Sequence, residues 1–170
     1  MRIYLPATTG VLRRLVDEGR LSGPHTAFAV TPRLREFYAL SDAAADLEEL
    51  EYAALLTAAR ASLRLVDVDP TAARRRVVLA ADVADSGVEP VDDADTDAGA
   101  VRVTADVALA DVASAHIDGA EAEDDVRAAV AVVLEADLGS DEAQFVVDQA
   151  EGHELAWYAT QEIGSALELL

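Results

Sequence analysis

Three short apolar runs in this chain end in a threonine and lead straight into a helical pattern. Ile3-Tyr4-Leu5-Pro6-Ala7 precedes Thr8 and Thr9. Ala27-Phe28-Ala29-Val30 precedes Thr31, and Ala156-Trp157-Tyr158-Ala159 precedes Thr160. A threonine hydroxyl at that position can accept a hydrogen bond from a free N–H of the helix's first turn. A strand whose next residue caps a helix restricts the chain to alternating β and α elements, which is the signature of an α/β domain. Two origins account for the echo. One is a duplicated half-domain. The other is the general preference of strand-to-helix turns for threonine, helped by chance matches in an alanine-rich chain.

The remaining pattern fills in this frame. Val11, Leu12, Leu15 and Val16 fall at helical spacing after Thr8, and Gly19 stops that helix. Pro32 follows Thr31 at a first helical position, where its missing N–H is no loss. Ser41 is a candidate cap for a long helix carrying Leu47, Leu50, Ala54, Ala58, Ala61 and Leu65, with Glu48, Glu49, Arg60 and Arg64 on its outer face. Val77 to Ala80 reads as a strand buried on both faces, and Val101 to Val107 as another. Residues 85–100, rich in Asp, Gly and Pro, predict a mobile acidic loop. The stretch 112–117 fits a strand or a short helix. The strand is favoured because Asp118-Gly119 then makes a turn, and Val112, Ser114 and His116 would share one face. A helix over 121–137 faces the core with Val126, Val130, Val133 and Leu134, and stops at Gly139. Together these elements predict a single α/β domain over 1–170, with a mixed sheet of about five or six strands and helices packed on it. The alternative is a two-layer α+β sandwich.

Composition narrows the function. Hydrophobic residues make up 52% of the chain but aromatics only 5%, so small side chains must fill the core and bring the elements close together. With no cysteine, disulfides, thiolate catalysis and cysteine-bound metals are excluded, and a reducing cytoplasm is the expected compartment. The first residues lack a signal-peptide pattern, and no apolar run approaches the ~18 residues of a membrane span. The net charge is −20, with arginine supplying all 13 basic residues. Such a charge repels phosphate backbones and anionic membranes, so neither nucleic acid nor membrane is an expected partner. The run Arg74-Arg75-Arg76 reads as a solvated edge or as partners for acidic neighbours.

Beyond this patterning, Arg2 to Thr8, Thr26 to Pro32, Leu50 to Ala54 with Ala59 to Ser62, and Glu154 to Ala159 resemble a family of actinobacterial proteins of unknown function. The resemblance spans nearly the whole chain. It implies a bacterium of high GC content, which accounts for the arginines better than salt adaptation does. It supplies no catalytic residues and no cofactor.

Four constellations could carry chemistry. Helix N-termini at Thr8-Thr9, Thr31 and Thr160, with Arg33 assisting, would cradle an anionic metabolite if the turns were adjacent. Against that, each threonine can simply cap its own helix. Asp93, Asp95 and Asp97 match the start of a calcium loop, but the glycine comes at 99 and position twelve is Thr104, so no metal is expected. His25, His116 and His153 have no metal-ligand spacing, and Ser114 has no nucleophile elbow around it, so no catalytic residue is assigned. Finally, Tyr38, Tyr52 and Trp157 would mark a partner site if they converged on the surface. The expectation is a non-catalytic binding or interaction domain without a cofactor, with a homodimer or protein partner in view. The alternative is a small enzyme or sensor for a phosphorylated or carboxylated metabolite at Thr8, Thr9, Thr31, Arg33 and Thr160.

Overall fold

A computed structural model describes residues 1–40, 46–93 and 95–170. Its centre is a seven-stranded sheet. In spatial order the strands are β5 (Val88–Pro90), β6 (Ala100–Val103), β3 (His25–Phe28), β1 (Arg2–Ala7), β4 (Val77–Asp82), β8 (Val112–Asp118) and β9 (Leu155–Ala159). A separate two-stranded ladder joins β2 (Arg20–Leu21) to β7 (Val107–Ala108). The expected α/β organisation is observed. The sheet has seven strands where about five or six were expected, and it is antiparallel throughout where a mixed sheet was expected, because strand direction depends on which strands become neighbours. The additional pairings come from runs too short to show a period. β2 has two residues, and β5 has three and lies inside the stretch expected as a mobile loop.

Helices cover both faces. On one side α1 (Thr9–Glu18) and α6 (Ile163–Glu168) set Leu12, Leu15, Ile163 and Leu167 against Ile3, Leu5, Leu79, Ala115 and Ile117. On the other, α2 (Pro32–Ala39) and α3 (Leu47–Val68) set Leu34, Leu50, Ala54 and Ala58 against Tyr4, Phe28, Val78 and Ala80. This double cover explains why β4 reads as a continuous apolar run although its neighbours are antiparallel. The hairpin of α4 (Glu123–Asp137) and α5 (Asp141–Glu151) packs on Leu63 and Val66 at the end of α3. Leu134, expected in that core, is 55% exposed, because Ala129, Val133 and Ala136 take the contact face.

Local chemistry explains most of the boundaries. Thr8 accepts from Val11 N–H and Thr31 from Leu34 N–H, and Pro32 begins α2 as expected. Gly19 and Gly139 end their helices at φ +74° and +98°, a region where a side chain is strained. The cap of α3 is Asp46, which forms a reciprocal box with Glu49. Ser41, the residue expected there, lies outside the described residues. Thr160 departs from the pattern. Its hydroxyl donates to Val112 C=O, and a 3-10 turn at Thr160–Glu162 precedes α6. Pro6 sits within the central strand β1. On its β3 side the paired register is Tyr4 with Phe28, and the strands part beside the proline, which has no N–H to offer there.

Candidate functional site

The helix that covers β1 and β4 leaves β8 and β9 open on the same face. The result is a groove of about 260 Å³. Its floor is Arg2, Ala80, Ser114 and His116, with Tyr4 beneath α3. Glu48, Glu51, Tyr52 and Leu55 of α3 form one wall, and Trp157 of β9 forms the other. Strand register explains this grouping. Tyr4 pairs with Ala80, Ala80 with Ser114, and His116 with Trp157, so side chains from four neighbouring strands meet in one patch. Ser114 and His116 share that face, as expected for a strand. Val112 does not, because the register shifts at Ala80/Ala81 and turns Val112 into the opposite core.

The groove carries defined electrostatics. His116 is two residues from Ser114 on the same strand face, and its Nε2 lies 3.2 Å from Ser114 Oγ. Burial pushes the imidazole below its ordinary range, and the Arg2 charge acts in the same direction, so His116 is neutral near pH 7. Burial also raises the Tyr4 phenol, assisted by the Glu51 carboxylate. Arg2 is held by Asp82 through two bonds of 2.7 and 2.8 Å. The Arg2 guanidinium also lines the groove and feels the Glu51 charge, but its hydrogen bonds go to Asp82, so Glu48 and Glu51 form a carboxylate wall beside two aromatic side chains. Tyr52 is 54% exposed and Trp157 61%.

Chemically, Ser114 and His116 place a hydroxyl beside a neutral imidazole on the groove floor. To act as nucleophile and base, such a pair needs a group to orient the imidazole and donors for an oxyanion. Among the described residues no side chain hydrogen-bonds the other imidazole nitrogen. The pair gives the groove a hydrogen-bonded polar floor. Among the described residues no group of three or more His, Asp or Glu side chains converges as a metal site. The other histidines are separate. His153 meets Asp125 at 2.7 Å at the far end of the sheet, and His25 lies near Leu21 C=O.

The threonine turns do not meet. β1 and β3 are antiparallel, so Thr8 and Thr9 lie at one end of the sheet and Thr31 at the other. Thr160 shares the end with Thr31 but follows β9, four strands away from β3. Thr9 Oγ accepts from Ala73 N–H, and the Thr31 hydroxyl donates to Ala98 C=O as well as capping its helix. Arg33 reaches Asp93 C=O at 2.7 Å, beside Thr31. The five residues therefore form no common cradle.

Of the three aromatics, Tyr52 and Trp157 converge. Tyr38 lines a different hollow of about 550 Å³ with Phe37 and Leu40. The arginine run meets acidic neighbours, as one of the two readings expected: Arg75 bonds Glu123, and Arg76 bonds Asp118. Sequence reasoning missed the pairing of Tyr4, Glu48 and Glu51 with His116. No local spacing signals it, since it depends on which strands become neighbours.

The chain belongs to the family of unknown function DUF6912, whose model matches residues 1–167. Neither the curated proteins nor the solved structures contain a match.

Proposed function

We propose that this member of DUF6912 is a non-catalytic, cytoplasmic binding domain whose groove takes a cationic group, the guanidinium or ammonium of a partner protein. The observation that supports this reading is the meeting of two exposed aromatic side chains, Tyr52 and Trp157, with the Glu48 and Glu51 carboxylates around a neutral imidazole. A cation gains from the face of an indole and from a neighbouring carboxylate at once. The net charge of −20 draws cations toward the surface and repels phosphate backbones and anionic membranes. The absence of cysteine suits a reducing compartment.

Trp157 is the single tryptophan of the chain, so its fluorescence reports on the groove directly. Titration with N-acetyl-arginine amide shifts that emission, with a Kd on the order of millimolar for so small a ligand. The double variant Glu48→Gln/Glu51→Gln weakens binding about tenfold, as loss of two charge-assisted contacts requires. An emission unchanged by the ligand, or an affinity indifferent to that double variant, overturns the reading.

A further inference from the structure

The two edges of the large sheet are built differently. β5 is three residues long, carries the exposed Glu89 and ends at Pro90, with Asp92 and Asp93 just beyond. Short length, charge and proline are the usual means of keeping an edge from pairing with another chain. β9 has none of them. Its five residues, Leu-Ala-Trp-Tyr-Ala, contain no charge and no proline, and its register with β8 is unbroken.

The hydrogen-bond phase of β9 follows from its neighbours. Asp118 N–H donates to Arg76 C=O, so Asp118 and His116 direct their backbone groups toward β4. Ile117 and Ala115 therefore direct theirs toward β9, to Ala156 and Tyr158. Leu155 and Trp157 consequently point their N–H and C=O groups away from the sheet. Ala159 shares this phase, and its N–H is taken by the Glu162 carboxylate at 2.8 Å. Glu162 thus closes one end of the edge and leaves the Leu155–Trp157 segment open.

We infer that β9 accepts an extended, arginine- or lysine-bearing segment of a partner protein as an added antiparallel strand, with a cationic side chain lying against Trp157 at the groove. The residue opposite Trp157 exchanges both backbone bonds with it and shares its face of the sheet. Its side chain then runs along the indole toward Glu51 and Glu48. Charge selects this occupant over a second copy. Two chains of −20 repel each other, and pairing β9 with itself would bring Glu154 and Glu162 of both copies to the same junction. A basic segment meets complementary charge at each of those points. The choice of a cationic side chain rests on the groove reading above; the pairing of the backbone does not.

The test uses the full chain and an acetylated, amidated Thr-Arg-Thr-Arg-Thr-Arg-Thr peptide, followed by Trp157 fluorescence and amide hydrogen exchange. A second peptide carries N-methyl groups on its three arginine amides, which keeps the side chains and removes the donors that would face β9. The unmodified peptide binds at least tenfold more tightly than N-acetyl-arginine amide, and N-methylation erases at least that factor. The Leu155 and Trp157 amides exchange more slowly in the complex. Leu155→Pro, which removes one outward N–H and spares the ladder to β8, weakens the unmodified peptide and not N-acetyl-arginine amide. Equal affinity for the two peptides overturns strand addition and leaves the groove reading in place. A peptide sensitive to N-methylation but indifferent to Glu48→Gln/Glu51→Gln supports strand addition and overturns the groove reading. A peptide-free dimer in sedimentation, protected at Leu155 and Trp157, overturns the proposal in favour of a second copy.

Discussion

Replacing Arg76 with methionine should be among the most destabilising single changes in the protein. Arg76 is the largest fully buried side chain, 1% exposed, and Asp118 is equally buried. The Asp118 carboxylate accepts three bonds from this residue, from the backbone N–H, Nε and Nη2, each at 2.8 Å. The same Nη2 donates to His153 C=O, so one guanidinium ties the start of β4 to the end of β8 and to the approach to β9. Methionine keeps most of the volume but leaves a buried carboxylate with only the backbone donor. Breaking a buried pair from one side costs about 3–5 kcal/mol. In a domain of this size that lowers Tm by roughly 6–20 °C. The double change Arg76→Met/Asp118→Asn removes both charges and retains an acceptor for the backbone N–H, so it should cost only about 1–2 kcal/mol. Urea unfolding of the wild type, the two single variants and the double variant gives the coupling directly. A loss below about 1 kcal/mol for Arg76→Met, or single-variant losses that simply add in the double, would refute the argument that an unpaired buried charge dominates.

Two further outcomes follow from buried polar groups. Ser62→Ala should cost about 2–4 kcal/mol in chemical unfolding, because the fully buried hydroxyl donates to Ala7 C=O at 2.6 Å and accepts Val77 N–H at 3.0 Å; a loss under about 1 kcal/mol would mean that water or a local shift restores both groups. Acidification should lower stability in two separate pH ranges. The folded His116 is lowered beneath its usual 6.5, chiefly by burial, so the unfolded chain binds the proton first and stability declines as pH drops below about 6.5. Asp137 is held below 3.8 by hydrogen bonds from Arg64, with Arg60 assisting, so its contribution is full above that value and disappears as pH falls through the folded one. Urea midpoints across pH for His116→Asn and Asp137→Asn should each flatten one of the two ranges; a profile parallel to the wild type for either variant removes that group from the account.

The elements legible in the sequence are those fixed by near neighbours. Thr8 and Thr31 cap helices because the hydroxyl and the N–H it meets are three residues apart. Gly19 and Gly139 end helices because of their own backbone angles. β8 fits a strand or a short helix by pattern alone, and the Asp118-Gly119 turn beside it favours the strand that forms. Where a partner lies far along the chain, the pattern misleads. Thr160 sits in the same local pattern as Thr31, but its hydroxyl finds Val112, 48 residues earlier. Leu134 repeats at core spacing and still faces solvent, because the α4–α5 contact selects smaller side chains.

The site follows the same division. Local pattern and composition are enough for an α/β domain, a small-residue core, a strongly negative surface and the aromatic candidates Tyr52 and Trp157. It takes the assembled sheet to join Trp157 with Tyr52 and not with Tyr38, and to set the threonine turns apart. The reason is strand order. Placing β8 and β9 beside β4 and β1 brings Trp157 and His116 next to residues more than a hundred positions earlier. Antiparallel pairing sends the turn after β3 to the end of the sheet opposite the turn after β1. Neither is encoded in the spacing of any one segment. Both arise from the sheet burying its two faces beneath helices, of which α3 covers β1 and β4 and leaves the Trp157 face of β9 open.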